Sequence, residues 1–288
     1  MPWVANSCCI VKNIIIRALS GSIYVALIVA SILLLDNSPI AFLIVFGLFI
    51  IIGISELHKL SHDVGPASWL VTVTDMAGGV GLLLAFYYYS KGTGMAGLRA
   101  LPLAIYIVVR CVVQLYRPRQ NAVRSLQRSF FALVYVAVPI ALLNTIVSIT
   151  APRLLLAIFM FIWVNDTGAF LTGITLGRHR LFERISPKKS WEGFFGGLAA
   201  CVLVALATHR WCNEFFQVPE LTTWVGLSIV VAVAATFGDL TESLLKRTEG
   251  VKDSGNIIPG HGGLLDRIDS LLLVSPAALI YLSLVVYN

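Results

Sequence analysis

The chain has 288 residues, of which 58% are hydrophobic and only 12% are charged. A soluble domain carries about a quarter charged residues, so this composition excludes a water-soluble globular protein and predicts an integral membrane protein. The formal net charge of +6 would suit nucleic-acid binding in a soluble chain, but here the basic residues lie in polar segments between apolar runs, where membrane topology and anionic phosphate ligands account for them.

Nine apolar runs are long enough to cross a bilayer, for which a helix needs about 20 residues. In chain order the predicted spans are residues 16–35, 39–55, 68–89, 99–115, 129–148, 153–174, 193–209, 222–242 and 270–287. No small-residue cleavage site follows the first run, so we expect it to be retained as a span rather than removed as a signal peptide. The predicted fold is an all-α integral membrane protein of about nine transmembrane helices, in which residues 1–288 form a single polytopic domain.

The basic residues orient these spans. With a cytoplasmic N-terminus, most Lys and Arg residues fall in cytoplasmic loops, as the positive-inside rule requires. An eight-span count would put the richest basic loops on opposite sides. Residues 1–150 are nearly featureless apolar spans with one Arg-rich loop and are predicted to be mostly structural. Residues 151–288 hold two long polar segments, 175–192 and 243–269, and are predicted to be the catalytic half, with a polar site that faces the cytoplasm.

The first polar segment follows an acid near the end of the sixth span, Asp166. Ionisable residues in such places are usually functional. Lys188 and Lys189 could be topology determinants only, but their position just before Ser190 and Glu192 favours a phosphate-binding role. Glu192 could instead cap the seventh helix together with Ser190, or pair with a lysine.

The second polar segment is flanked by acids on two helices. Asp239 lies near the end of the eighth span, with Glu242 and Lys246 at helical spacing on the same face. Asp266 and Asp269 lie three residues apart at the start of the ninth span. Two helices that bring carboxylates together would bind a hard cation such as Mg²⁺. Helix capping is the alternative, but it explains one acid better than two.

A glycine-rich loop, residues 259–263, lies between these helices and includes His261, Gly262 and Gly263. Glycines let backbone N–H groups approach phosphates closely. The basic residues in and around the loop are Lys246, Arg247, Lys252 and Arg267. Together with the flanking acids they favour a nucleoside triphosphate–metal site over a flexible turn with a solvated basic face. His261 could orient a phosphate, transfer a proton or hydrogen-bond the turn.

This segment resembles the signature of the phosphatidate cytidylyltransferase (CDP-diacylglycerol synthase) family. The matching positions are Ser243, Lys246-Arg247, Lys252-Asp253, His261-Gly262-Gly263, Asp266-Arg267 and Asp269. A second match covers Asn165–Phe170, Gly177-Arg178 and Ser186–Gly193. It departs from the family in having Ser190 where threonine is commoner. The segment 14–20 and Glu56 show a weaker likeness.

The resemblance implies transfer of a cytidylyl group from CTP to phosphatidic acid, giving CDP-diacylglycerol and pyrophosphate for phospholipid synthesis. It implies catalytic roles for Asp239, Lys246, Arg247, His261 and Arg267. It implies substrate-binding roles for Lys188, Lys189, Ser190, Glu192, Lys252, Gly262 and Gly263. The metal ligands would be Asp166, Asp239, Asp266 and Asp269, holding Mg²⁺ and leaving room for a second cation. We expect a lipid bilayer and no nucleic acid as partners, a homodimer as the family suggests, and a bacterial cytoplasmic membrane as the location.

Two other functions are alternatives. The first is another membrane phosphotransferase, either a polyprenol or dolichol kinase or a CDP-alcohol phosphotransferase. A CDP-alcohol phosphotransferase has repeated acids within one helical run, and this sequence lacks that spacing. A secondary transporter is the other. Transporters usually contain internal repeats and carry polar residues at mid-membrane, whereas here the two halves share no pattern and the polar residues cluster at one face.

Overall fold

The computed structural model describes residues 2–61, 68–90, 100–117, 122–216, 218, 220–255, 257–258 and 262–286, with side chains described from residue 16 to residue 285. His261 therefore lies outside the described residues. The helices are α1 (Pro2–Leu33), α2 (Ile40–Leu60), α3 (Trp69–Ser90), α4 (Leu101–Leu115), α5 (Ala122–Ala132), α6 (Val138–Ile149), α7 (Arg153–Leu176), α8 (Trp191–Phe216), α9 (Leu221–Thr248) and α10 (Leu265–Val286). A single π-helical turn, Leu133–Ala137, joins α5 to α6.

The all-α membrane fold predicted from the sequence is confirmed. In the part of the chain that is described, 8 helical segments are long and apolar enough to cross a membrane, with α5, the π turn and α6 forming one of them. The predicted fourth span coincides with α4, which has only 15 residues. At about 1.5 Å per residue such a helix is shorter than the roughly 30 Å hydrocarbon core. The described residues thus contain one full-length span fewer than the sequence predicts.

The polar segment after α7 folds into a small hairpin that the sequence did not predict. Strand β1 (Arg180–Phe182) pairs antiparallel with β2 (Ser186–Ser190). The N–H of Trp191, the first residue of α8, donates to the carbonyl of His179 at 2.9 Å. The hairpin therefore closes directly onto the start of α8 and carries Lys188 and Lys189 on its second strand.

The first half is less featureless than predicted, because it contains a buried polar network. Asp75 of α3 lies 3.1 Å from His58 Nε2 and 3.5 Å from Arg110 Nε, and it accepts a hydrogen bond of 2.9 Å from the Tyr106 hydroxyl. Arg110 also donates to Ser129 Oγ at 2.9 Å. A buried charge is tolerated when it is paired and hydrogen-bonded, so this network ties α2, α3, α4 and α5 together inside the apolar core.

Close packing of α9 on α10 brings the backbones of Asp239 and Asp269 near each other. A Cβ atom at Gly238 would lie 2.8 Å from the carbonyl oxygen of Asp269 and 2.9 Å from Ser270 Cα. Only a residue without a side chain permits this approach, in the way small residues do at membrane helix interfaces. The next residue on α9 is Asp239, so the contact sets the distance between the Asp239 and Asp269 backbones.

Candidate functional site

Three acids from three helices face one another. They are Asp166 of α7, Asp239 of α9 and Asp269 of α10, and their carboxylates lie within Coulombic range of each other. Asp166 and Asp239 lie in the C-terminal halves of α7 and α9, and Asp269 lies about one turn after the start of α10. Like charges held together in this way repel unless a cation compensates them, so the arrangement attracts positive charge.

A lysine from the hairpin already compensates one of these acids. Lys189 Nζ lies 2.6 Å from Asp239 Oδ2 and 3.5 Å from the carbonyl oxygen of Thr236. Ser243 Oγ donates to the other oxygen of Asp239 at 3.2 Å. The structure therefore brings the predicted substrate-binding Lys189 together with the predicted metal ligand Asp239.

A second ion-paired group lies beside the first. Lys246 Nζ is 2.6 Å from Glu242 Oε2 and 2.7 Å from Asp266 Oδ1. Asp266 also accepts hydrogen bonds from the backbone N–H groups of Gly263, at 2.8 Å, and Ser254, at 3.1 Å. The carboxylate of Asp266 is thus engaged by the loop and by Lys246. Asp266 nevertheless lines the same cavity as Asp269, so its predicted role as a metal ligand stays a prediction.

In the described part of the glycine-rich loop, Gly262 and Gly263, the glycines have contacts within the protein. Gly262 has φ +86, a left-handed conformation that favours glycine in a turn. The Gly263 N–H is used by Asp266, and the next two amides, of Leu264 and Leu265, donate to Glu56 at 3.0 and 2.7 Å. The protein's own carboxylates therefore occupy the amides at which the sequence predicted a phosphate, at Gly263 and at the start of α10.

Two predicted substrate-binding residues have structural contacts at the start of α8. Ser190 is buried, and its Oγ accepts the Gly193 N–H at 3.1 Å, which is a helix N-cap. Glu192 accepts the N–H groups of Arg178 and His179 and lies 2.6 Å from His179 Nδ1. Of the alternatives weighed for Glu192, the structure thus favours a role at the helix start over a lysine pair, and its carboxylate holds the hairpin against α8.

The remaining predicted cations surround the site. Arg247 donates to the carbonyls of Ile185 and Val251, at 3.5 and 3.4 Å, and so links α9 to the hairpin and the loop. Lys188 and Lys252 are exposed. Arg267 lines the cavity described next, and its carbonyl accepts a 3.0 Å hydrogen bond from the Tyr24 hydroxyl.

A cavity of about 260 Å³ opens between α1, α7 and the start of α10. Its charged lining residues are Asp166, Asp266, Asp269 and Arg267. Its apolar lining includes Phe159, Ile162, Trp163 and Val25. Phe159, Ile162 and Trp163 precede Asp166 on α7 by one to two turns, so the acid lies next to a lipophilic wall. The cavity combines anionic and cationic groups with a surface suited to hydrocarbon.

The predicted metal site stays a prediction. Within the described ranges, no group of three or more His, Cys, Asp or Glu side chains is placed as a ready metal site. The donor chemistry nevertheless fits a hard cation, because Asp166, Asp239 and Asp269 offer carboxylate oxygens within mutual Coulombic range. Asp266 fits less well, since its oxygens are already engaged.

Sequence reasoning assigned no role to two buried residues next to the site. Glu56 of α2 is 1% exposed and caps α10. The sequence feature that could have identified it is an acid near the end of an apolar helix. Tyr135 lies on the π turn, 8% exposed, and its hydroxyl has no hydrogen-bond partner among the described residues. Glu242, Asp269 and Asp239 lie within its Coulombic range. Nothing in the sequence indicated that a π turn would place this tyrosine near the acids.

Comparison with known proteins adds to this geometry. A family model described as the cytidylyltransferase family matches residues 15–285. A phosphatidate cytidylyltransferase of Haemophilus influenzae is 45% identical over 124 residues, which are 43% of this chain and 43% of the relative. Proteins of the same name from Staphylococcus epidermidis and Staphylococcus aureus are each 44% identical, over 126 and 120 residues, or 43% and 41% of this chain and 46% and 44% of the relatives. Each alignment thus spans less than half the length of the curated relative.

Proposed function

The chain belongs to the cytidylyltransferase family, and we propose that it transfers the cytidylyl group of CTP to phosphatidic acid, releasing pyrophosphate and forming CDP-diacylglycerol. The proposal rests on one observation, which is that charged and lipophilic residues line the same cavity. Asp166 and Asp269 line the same cavity as Phe159 and Trp163, so chemistry suited to phosphate and its counter-ions adjoins a wall suited to acyl chains. The name of the bacterial relatives supports the same substrate pair.

The proposed reaction requires positioning more than covalent catalysis. An oxygen of the phosphatidic acid phosphate forms a bond to the α-phosphorus of CTP. The bond from that phosphorus to the oxygen bridging to the β-phosphate breaks, and the electron pair leaves with pyrophosphate. The attacking phosphate is already anionic at neutral pH, so no side chain needs to remove a proton. The protein has to hold the two phosphates in line and offset their charges.

The described side chains suit these tasks. Lys189, held 2.6 Å from Asp239, would contact a phosphate oxygen when substrate binds. Lys246 would keep the Glu242 and Asp266 carboxylates compensated at 2.6 and 2.7 Å. Asp166, Asp239 and Asp269 would hold Mg²⁺, which would supply charge neutralisation at the phosphate oxygens. Lys188, Arg247, Lys252 and Arg267 would raise the local concentration of anionic substrate.

The lipid would enter from the side of α1. The glycerophosphate would lie near Arg267, and the acyl chains would run along Phe159, Ile162 and Trp163. We place this site at the cytoplasmic face of a bacterial inner membrane, because the positive-inside rule puts the basic segments there and the curated relatives are bacterial. We also propose that the protein forms a homodimer, as the family resemblance suggests, and that it has no nucleic-acid partner.

The test uses purified protein in detergent with Mg²⁺, phosphatidic acid and CTP labelled at the α-phosphate. We expect label in the lipid phase and an equal amount of pyrophosphate. Lipid labelled from γ-labelled CTP, without pyrophosphate, would instead identify a lipid kinase. Solute uptake by reconstituted protein, with no labelled lipid, would identify a transporter, and either result would refute cytidylyl transfer.

A further inference from the structure

Glu56 connects the first half of the chain to the start of α10. It lies in the last turn of α2 and is only 1% exposed. Its Oε1 accepts the Leu264 N–H at 3.0 Å, and its Oε2 accepts the Leu265 N–H at 2.7 Å and the Ser254 hydroxyl at 3.4 Å. A helix usually takes its N-cap from its own chain neighbour, but here the cap comes from a residue more than 200 positions away.

The Glu56 carboxylate is compensated by backbone amides. Within the described residues, none of the ion pairs includes Glu56. The first amides of a helix carry partial positive charge and lack partners within the helix. Glu56 and these amides therefore satisfy each other, and removing either would leave the other buried without a partner, which is destabilising.

Two glycines, Gly255 and Gly263, pack closely against this carboxylate. A Cβ atom at Gly255 would lie 2.5 Å from Glu56 Oε1. A Cβ atom at Gly263 would lie 2.7 and 2.8 Å from the two Glu56 oxygens and would also overlap Ser254 Oγ. The close approach at Gly263 is therefore an approach to Glu56. This explains the glycine at 263 without a phosphate.

We infer that Glu56 is a positioning residue of the site: by capping α10 and holding Ser254, it fixes where Asp266 and Asp269 lie relative to Lys246 and Asp239. Asp269 lies four residues after Leu265, one helical turn from the amide that Glu56 holds. A shift of the helix start would therefore move its carboxylate. The inference rests on the proposed function for its catalytic consequence, whereas the capping contact has a readout of its own.

The decisive variant is Glu56→Gln, which keeps the size of the side chain. One amide oxygen can replace one acceptor, but the NH₂ group then faces a backbone N–H, donor against donor. We expect kcat to fall about 100-fold, because a misplacement near 1 Å has that effect on a positioned reaction. The KM for CTP should change less than about threefold, and more Mg²⁺ should be needed for half-maximal activity. Glu56→Asp keeps both acceptor oxygens and the charge, so it should recover part of the lost kcat.

Hydrogen exchange supplies a readout that does not depend on activity. In Glu56→Gln the amides of a peptide covering 262–271 should exchange faster, while peptides from α3 stay unchanged. Asp75→Asn is the matched control, since it also neutralises a buried acid but lies in the network with His58 and Arg110. It should lower thermal stability without altering the Mg²⁺ requirement or the exchange of 262–271.

The outcomes separate this inference from the proposed function. An active wild-type protein whose Glu56→Gln variant has normal kcat and normal exchange would overturn the role of Glu56 and leave the function standing. Faster exchange with unchanged kcat would overturn positioning. If the wild-type protein lacks cytidylyltransferase activity, the proposed function fails, and the exchange comparison alone decides whether Glu56 fixes the start of α10.

Discussion

Substituting Gly238 by alanine tests whether the close approach of α9 to α10 sets the geometry of the acidic site. The added methyl would lie 2.8 Å from the Asp269 carbonyl oxygen, about 0.6 Å inside the 3.4 Å at which ordinary van der Waals contact begins. The atoms it meets are backbone, so no side-chain rotation relieves the clash. The two helices must separate by a few tenths of an ångström, and Asp239 moves away from Asp269.

The expected magnitudes follow from this displacement. Overpacking of a well-packed interior costs about 1–3 kcal/mol, so the variant should remain folded with a lowered unfolding temperature. A displacement near 1 Å lowers the rate of a positioned reaction about 100-fold, so a shift of roughly half that size should lower kcat about 10-fold. We would measure lipid-phase label from α-labelled CTP, together with thermal unfolding followed by tryptophan fluorescence in the same detergent.

The control is Gly226→Ala on the same pair of helices. A methyl there meets the outer end of the Tyr281 side chain rather than backbone, and Gly226 lies about three and a half turns of α9 away from Asp239. This variant should lose some stability and keep its kcat. Wild-type kcat in Gly238→Ala, or an equal loss of kcat in both variants, would refute the claim that the Gly238 contact sets the distance between the acids.

Three further variants probe separate parts of the site. Asp269→Asn should lower kcat at least about 100-fold, with little change in unfolding temperature; retention of near-normal activity at low Mg²⁺ would contradict its assignment as a metal ligand. Lys189→Met removes the cation 2.6 Å from Asp239 and should raise the KM for CTP or lower kcat about 10-fold, whereas Arg184→Met, at an exposed residue of the hairpin turn, serves as the comparison and should change either by less than about threefold. Val25→Trp would fill the cavity beside α1 and should raise the KM for phosphatidic acid several-fold while leaving that for CTP unchanged; equal effects on both substrates would argue against a lipid site there.

Much of the fold was predictable because the bilayer imposes a simple rule. A helix in hydrocarbon has to be apolar over about 20 residues, and such runs are visible in the sequence. The rule fails where a helix continues past the apolar run. The predicted eighth span ends at 242, but α9 continues to Thr248, and α10 begins at Leu265 rather than at 270. These extra turns are polar because they carry the site, with Glu242 and Lys246 on one and Asp266 and Asp269 on the other.

The site was predictable in composition but not in pairing. Local spacing correctly suggested that Glu242 and Lys246 share a face, and they form an ion pair at 2.6 Å. Which lysine meets which acid across elements depends on tertiary packing, and the sequence offered no reason to join Lys189 to Asp239. The contact of Glu56 with Leu265 spans most of the chain. The glycines at 262 and 263 predicted a phosphate-binding loop. Glycine permits an anion to approach the backbone closely, and the sequence does not show whether that anion is a ligand or a carboxylate of the protein itself.

The balance of formal charge around the site connects its two ion-paired groups to the proposed substrate. Among the described residues, the acids are Asp166, Asp239, Glu242, Asp266 and Asp269, and the cations that face them are Lys189, Lys246 and Arg267. Within this inner group the acids exceed the cations by two formal charges, whereas the outer cations Lys188, Arg247 and Lys252 still favour the approach of an anionic substrate. A divalent cation would bring this balance to neutrality, and the lysines would then be released from carboxylates to phosphate oxygens. Asp239 holds Lys189 extended, and Glu242 and Asp266 together hold Lys246 extended. In the proposed reaction both lysines would meet the phosphates already ordered, so that the entropy of these long side chains is lost in folding and not at the moment of binding.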